Sequence, residues 1–167
     1  MILFESKRLI VRELEETDLQ NFYRLNSDED IMRYIRKPRT YDECVALIKE
    51  TIENSKINPG FGRHVIIEKS TGNYVGSFAL LHLENTEDYH LGYAFLKEEQ
   101  GKGFATEVTK AAIPFVFKTI DKDFIKAITI PENIASQKVL LKAGFTEIGR
   151  MVHNGDEVLV FELKNKE

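Results

Sequence analysis

The sequence predicts an α/β (α+β) fold with a mixed, mostly antiparallel central sheet of about seven strands and helices on both faces. Three observations predict it. The first half strings β-branched and aromatic runs together through turn signals, as hairpins do. The second half alternates helical stripes with a nearly continuous apolar strand, which reads as a β-α-β unit. Hydrophobic residues make up 43% of the chain and charged residues 30%, so 167 residues suffice for a packed core, and residues 1–167 are expected to form a single domain.

The elements follow in order. Arg8-Leu-Ile-Val-Arg-Glu13 alternates enough for a strand, and Thr17 or Asp18 can cap a helix presenting Leu19, Phe22, Tyr23 and Leu25. A helical turn around Ile31 to Ile35 should end before Lys37-Pro38. A second helix should span about Tyr41 to Asn54, with Val45, Ile48 and Ile52 on one face, before Asn58-Pro-Gly60 breaks it. Phe61 to Glu68 and Tyr74 to His82 flank Lys69-Ser-Thr-Gly-Asn73 as an antiparallel hairpin, and Tyr89 to Leu96 is a further strand. Phe104 to Thr119 carries a helical apolar stripe, interrupted by Pro114, which should bend the axis near Lys110. Phe124 to Ile130 is an apolar strand, followed by a helix from Ile134 to Ala143 with Asn133 as N-cap and Gly144 as the left-handed residue beyond its end. Thr146 to Val152 and Glu157 to Leu163 close the chain as a hairpin around Asn154-Gly155.

Charge and composition narrow the function classes. Lys and Arg number 23 against 27 Asp and Glu, a net charge of −4 that does not favour polyanions, so nucleic acid is not an expected partner. Cys44 cannot form an internal disulfide, and His64, His82, His90 and His153 show no metal-ligand spacing, so no metal is expected. Met1 to Arg8 already carries Glu5, Lys7 and Arg8, and no apolar run approaches the roughly 18 residues needed to span a bilayer. A cytoplasmic protein with no membrane partner is expected.

The strongest local signal is Gln100-Gly-Lys-Gly-Phe-Ala-Thr106, between a predicted strand and a predicted helix. A helix N-terminus offers unpaired N–H groups and partial positive charge, and glycines let a diphosphate approach that backbone. The same residues could form a ligand-free connection. A dinucleotide-binding turn fits less well: the last glycine of Gly-x-Gly-x-x-Gly is replaced by Thr106, and Asp121 and Asp123 stand at the wrong end of the next strand for a ribose-binding acid. No Gly-x-x-x-x-Gly-Lys-Ser/Thr run exists, so an ordinary P-loop is absent.

These residues, with others along the chain, resemble the Gcn5-related N-acetyltransferases (GNAT), and within them the RimJ/RimL-like group. Lys7-Arg8-Leu9-Ile10-Val11-Arg12 resembles that group's opening strand, and Asp28 to Tyr34 the segment after its first helix. Gly76, Leu91-Gly92-Tyr93, Gln100-x-x-Gly103-x-Ala105, Asn133-x-x-Ser136 and Lys142-Ala-Gly-Phe145 follow in the family's order and approximate spacing. The resemblance implies a GNAT-like sheet splayed between the fourth and fifth predicted strands, and acetyl-coenzyme A (acetyl-CoA) as co-substrate. It implies that Gln100, Gly101, Lys102, Gly103, Phe104, Ala105 and Thr106 hold the cofactor's diphosphate, and that the backbone of Phe95 and Leu96 pairs with its pantetheine arm. One such N–H, that of Phe95, would polarise the thioester carbonyl.

Asn133 and Ser136 read from the residues alone as an ordinary helix start, whereas the resemblance turns them toward the pantetheine and the thiol, as cofactor-binding and catalytic residues. Leu140 stands near the position where many members of the superfamily carry a Tyr that protonates the leaving thiolate; Ser136 is then the donor near sulfur. His90 is the favoured general base, sharing its strand face with small Gly92 and Ala94, although a merely hydrogen-bonded histidine fits the same position. His82 and Glu68 are lesser candidates, and Cys44 reads as a packed residue rather than a nucleophile.

The expected activity is therefore direct transfer of an acetyl group from acetyl-CoA to a primary amine of a small molecule or a protein N-terminus. A non-catalytic acyl-CoA sensor is the alternative, and a nicotinamide-dependent oxidoreductase the weakest reading. Asp28, Glu29, Asp30, Glu84, Glu87 and Asp88 would either favour a cationic amine or form solvated acidic loops. The exposed edge of the C-terminal hairpin could pair with a second copy as a homodimer.

Overall fold

The computed structural model describes residues 1–166. Its strands are β1 (Ile2–Glu5), β2 (Leu9–Glu13), β3 (Gly62–Glu68), β4 (Tyr74–His82), β5 (Tyr89–Phe95), β6 (Phe124–Thr129), β7 (Thr146–His153) and β8 (Asp156–Lys164). The helices are α1 (Leu19–Asn26), α2 (Glu29–Met32), α3 (Tyr41–Ile57), α4 (Phe104–Thr119) and α5 (Ile134–Lys142). All eight strands join one sheet in the order β1-β2-β3-β4-β5-β6-β8-β7. Every neighbouring pair is antiparallel except β5 and β6. That exception creates the site.

Burial alternates along the strands, and each sheet face has its own core. On one face Val65 and Leu96 pack with Phe22, Leu25, Met32, Cys44 and Ile48 of the first three helices. On the other, Ile66, Phe78, Leu80, Leu91 and Phe95 pack with Phe104, Val108, Ala112 and Val116 of α4 and Leu140 of α5.

Sequence and structure differ at a few elements, each with a local cause. β1 is an additional edge strand; Phe4 earns its place by packing edge-on against Phe78, with ring centroids 5.4 Å apart. Asp18 does not cap α1 with its side chain, because its carboxylate accepts from both terminal nitrogens of Arg12, at 2.8 and 2.9 Å, and from Glu15 N at 2.8 Å. The second helical turn starts earlier than expected, at Glu29, where Asp28 accepts from Asp30 N and Ile31 N. α3 is longer, anchored by a reciprocal capping box between Thr40 and Glu43. α4 has the expected bounds, with Pro114 inside it. Asn133 caps α5, Gly144 follows α5 at φ +100°, and Asn154-Gly155 turns the last hairpin with both residues left-handed, at φ 51° and 81°.

Candidate active site

The site forms where two parallel strands part. β5 and β6 share one register pair, His90 with Lys126, and then diverge into an open fork. Opposite β5, Leu96 N donates to Val75 O at 3.0 Å, so Leu96 faces β4. The next residue back, Phe95, pairs with Gly76 in the alternate register, as does Tyr93 with Phe78. In an antiparallel ladder that alternation turns the N–H and C=O groups of Tyr93 and Phe95 away from β4, toward the fork. Gly76 is required for this close pairing: a Cβ there would lie 2.3 Å from Ala94 O and 2.9 Å from a ring carbon of Phe95.

The fork opens into a cavity of about 610 Å³, within the usual range for small-molecule sites. Because residues on both sheet faces line it, the cavity passes through the slot in the sheet. At one end stands α4. Gly103 is its N-cap, left-handed at φ +82°, and no side chain caps the helix. None of the N–H groups from Gly101 to Thr106 donates in a turn or cap among the described residues. The first-turn amides of α4 are thus free for an anion. Arg8 supplies a nearby cation. Its Nε donates to Glu107 Oε1 at 2.7 Å, its backbone N donates to Glu107 Oε2 at 2.8 Å, and its guanidinium lies 4.6 Å from the Phe104 ring centroid. A Cβ on Gly103 would sit 3.5 Å from a terminal nitrogen of Arg8. Burial alone would raise the Glu107 pKa, but hydrogen bonds from Ser6 and Arg8 outweigh it and hold the carboxyl below its ordinary value.

In the middle of the slot, the Tyr93 hydroxyl and Ser136 Oγ are 3.0 Å apart. Burial pushes the Tyr93 phenol up, with the Ser136 hydrogen bond acting the other way. Asn133 Oδ1 accepts from Ser136 N at 3.2 Å, so the carbonyl end of this side chain is committed to capping, and its amide N–H groups are its remaining donors. Leu140 is a core residue, 1% exposed.

On the opposite sheet face, His90 sits at the apex of the fork with the His153 ring centroid 5.9 Å away. Burial is the main cause that lowers the His90 pKa to about 4, and electrostatic repulsion involving His153, Arg63 and Arg36 pushes in the same direction. His90 is therefore neutral at physiological pH and a weak base.

Most residues singled out from the sequence come together here. Phe95, Gln100, Gly101, Gly103, Phe104, Ala105, Thr106, Asn133, Ser136 and His90 all line the cavity. Two do not. Leu96 is 2% exposed, and its N–H is used by β4, so its backbone is not the partner expected for a pantetheine arm. Lys102 lies outside the lining, with Nζ 2.9 Å from Glu99. Gln100 takes a different role from diphosphate contact, donating Nε2 to Phe95 O at 3.0 Å, which braces the loop against the strand. Of the lesser base candidates, His82 and Glu68, neither lines the cavity; His82 stacks on Phe61. Cys44 is fully buried.

Four of the six acidic residues that could attract a cationic amine, Asp28, Asp30, Glu84 and Asp88, are engaged by other groups of the protein. Lys97 pairs with Asp30 and lies 3.9 Å from Asp28. Lys126 and Lys122 reach Asp88 at 2.7 and 3.8 Å, and Glu84 accepts from Asn154 N. Only Asp30 among the six lines the cavity. Sequence reasoning missed Arg8, Arg36, Arg63 and the acid-donor candidate Tyr93. Tyr93 and Arg8 stood inside quoted motifs without a role assigned to them, and Arg36 and Arg63 needed the fold to bring them to the site. Among the described residues no group of three or more His, Cys, Asp or Glu side chains is placed to hold a metal ion, and no helix is long and apolar enough to cross a membrane.

Residues 8–146 match the acetyltransferase (GNAT) domain family, a class consistent with an eight-stranded mixed sheet opened beside a helix with a free N-terminus. The chain belongs to that family. It is 30% identical over 146 residues to the uncharacterized N-acetyltransferase YnaD of Bacillus subtilis, covering 86% of this chain and 82% of that protein. It is 26% identical to a spermidine N(1)-acetyltransferase of Vibrio cholerae, over 88% of this chain and 84% of the relative. The crystal structure of a ribosomal-protein-S5-alanine acetyltransferase from Vibrio fischeri superposes with a TM-score of 0.82 at 21% identity, covering 100% of this chain and 98% of that one.

Proposed function

We propose that this protein transfers the acetyl group of acetyl-CoA directly to a primary amine, of a small molecule or a protein N-terminus, as one cytoplasmic catalytic domain. The observation that carries the reading is the continuity of one cavity from the uncapped α4 N-terminus, through the β5/β6 fork, to His90 on the far sheet face. Membership of the GNAT family, and the RimJ/RimL-like pairing of Ser136 with Leu140 in place of a Tyr, support it.

The residues fit the cofactor. Backbone amides from Gly101 to Thr106 and the Arg8 guanidinium are suited to a diphosphate. The fork-facing N–H and C=O groups of Tyr93 are suited to the amides of a pantetheine arm, and the N–H of Phe95 to the acyl carbonyl at its end, the Phe95 C=O already accepting from Gln100. Acetyl-CoA, when bound, supplies an acyl carbon activated as a thioester. The Phe95 N–H, which faces the fork, would stabilise negative charge on the carbonyl oxygen as an amine attacks. The new C–N bond replaces the C–S bond, and the proton released by the amine goes to water or to neutral His90. Ser136, itself hydrogen-bonded to Tyr93, donates to the departing sulfur.

The test is thiol release from acetyl-CoA with a panel of peptides and small amines, with acetylated product identified by mass. Acceptor-dependent thiol release supports transfer. Tight acetyl-CoA binding with no turnover of any amine would instead make the protein an acyl-CoA sensor.

A further inference from the structure

The acceptor end of the cavity carries two arginines that no carboxylate neutralises. Arg63 lies on β3 opposite Ala79, which in turn lies opposite Gly92 on β5. The three form one row across the sheet, on the face that also carries His90. Strand spacing puts Arg63 about 10 Å from Gly92 at the backbone, within an arginine side chain's reach of a small acceptor. The row between them is low: Ala79 is small, and a Cβ on Gly92 would meet no atom within 4 Å. Arg36 comes from the segment after α2 and lines the same cavity.

Neither guanidinium forms an ion pair among the described residues; the Arg36 contact is Nη1 to the Met32 sulfur at 3.9 Å. Burial lowers both to a pKa of about 10, assisted at Arg36 by Arg63 and Arg39, and at Arg63 by Arg39 with a partial offset from Glu50. Both remain cationic at physiological pH. Of the cavity's three acidic side chains, Asp30 is paired with Lys97, Glu99 with Lys102, and Asp156 is solvent-exposed with no ion pair. Two partly desolvated guanidiniums without a partner are costly in a folded protein unless a ligand supplies the countercharge.

Resting on the acetyl-transfer reading above, we propose that the acceptor is a carboxylate-bearing amine whose anionic group is held between Arg36 and Arg63 while its nitrogen lies beside His90. Planar guanidiniums suit a carboxylate because they bind it bidentately. A polyamine, carrying only positive charge, meets repulsion in the same place. The weak basicity of His90 points the same way. At pH 7.5 a peptide α-amine with pKa near 7.8 is about one-third neutral, whereas an alkyl amine with pKa near 10.4 is only about 0.1% neutral. A peptide α-amine therefore needs little help from a base, whereas that of a free amino acid, made more basic by its adjacent carboxylate, needs more. The carboxylate can come from an acidic side chain near a peptide N-terminus or from a free amino acid.

The experiment compares Ala-Glu-Ala amide with Ala-Gln-Ala amide, L-alanine with L-alaninamide, and spermidine, as acceptors. The expected result is a kcat/KM at least tenfold higher for the carboxylate member of one pair, which also identifies its source. Arg63→Gln and Arg36→Gln should each abolish that preference, chiefly by raising KM, with coenzyme A affinity unchanged and Arg63→Lys restoring part of it. Equal rates within both pairs, or spermidine as the best acceptor, would overturn the proposal while leaving acetyl transfer intact. If no amine is acetylated, the transfer reading fails, and calorimetry on coenzyme A-loaded protein decides the anion site separately. Preferential binding of N-acetylalanine over N-acetylalaninamide, lost in Arg63→Gln, sustains it; equal binding refutes it.

Discussion

Tyr93 and Ser136 approach from different elements, a strand and a helix start, and meet hydroxyl to hydroxyl at 3.0 Å in the slot where a thiolate would leave. A serine alone is a poor acid, but a serine whose oxygen accepts from a phenol is a better donor to sulfur. Tyr93→Phe and Ser136→Ala are each expected to lower kcat by about 10- to 100-fold with little change in acetyl-CoA affinity. Because the two act as a unit, the double variant should lose scarcely more than the worse single one. Steady-state thiol release checks this, and additive losses would separate the two roles. His90 makes an independent prediction in pH. Its pKa is lowered to about 4, so it is neutral and able to accept a proton above that pH, and charged below it. The acid limb of kcat/KM due to His90 should lie near pH 4, and the rise from pH 5 to 8 should report deprotonation of the amine. An inflection near 6.5 that vanishes in His90→Gln would show that this histidine is not desolvated in the working enzyme.

At the scale of elements, the β4/β5 pair sets the geometry of the fork, and Gly76 is its tightest point. A methyl group there would collide with the Ala94 carbonyl at 2.3 Å, and backbone cannot swing aside as a side chain can. Gly76→Ala should destabilise the protein by about 1 to 3 kcal/mol and weaken acetyl-CoA binding, measurable by urea unfolding and calorimetry. Ala at Gly92, where a Cβ meets open space, should be tolerated by the fold. Most of these elements were legible in the sequence. β4 and α4 have the bounds that alternation and helical periodicity predict, because each is long and strongly patterned. β1 escaped notice because four residues joined by a tight turn at Ser6-Lys7 carry too little pattern, and its place depends on Phe4 meeting Phe78 and Phe115 across the fold. The site was legible where it is local, at the glycine loop and the start of α5. It was illegible where side chains converge from afar: Arg8 on α4, and Arg36 with Arg63 at the acceptor end. Acidity counted along the chain left a cationic-amine lure and solvated loops equally open for the same reason, since the lysines that occupy Asp30 and Asp88 are distant in sequence.

For the molecule as a whole, burial of neutral histidine makes stability depend on acid. His64 is 2% exposed, with Nε2 bound to Gly60 O at 2.8 Å, and burial lowers its pKa from 6.5 to about 4 against the opposing effect of that hydrogen bond. The unfolded chain takes up this proton near pH 6.5 and the native chain only near 4, so stability falls as pH drops through that window and levels off below it. The loss from His64 is on the order of 3 kcal/mol, with His90 adding in the same direction. Urea midpoints measured from pH 7 to 4 should fall accordingly, and His64→Gln should flatten part of the slope. The proposed function rests on a different whole-molecule property, a sheet that opens beside the free end of α4, where a diphosphate is proposed to bind. The decisive measurement is a calorimetric comparison of coenzyme A with pantetheine, which lacks the nucleotide diphosphate, on the native protein and on Gly103→Val. Coenzyme A should bind the native protein at least 100-fold more tightly than pantetheine, and the variant should lose most of that advantage while still binding pantetheine. Equal affinity of the native protein for the two ligands, or an advantage untouched by the substitution, would contradict a diphosphate site at α4.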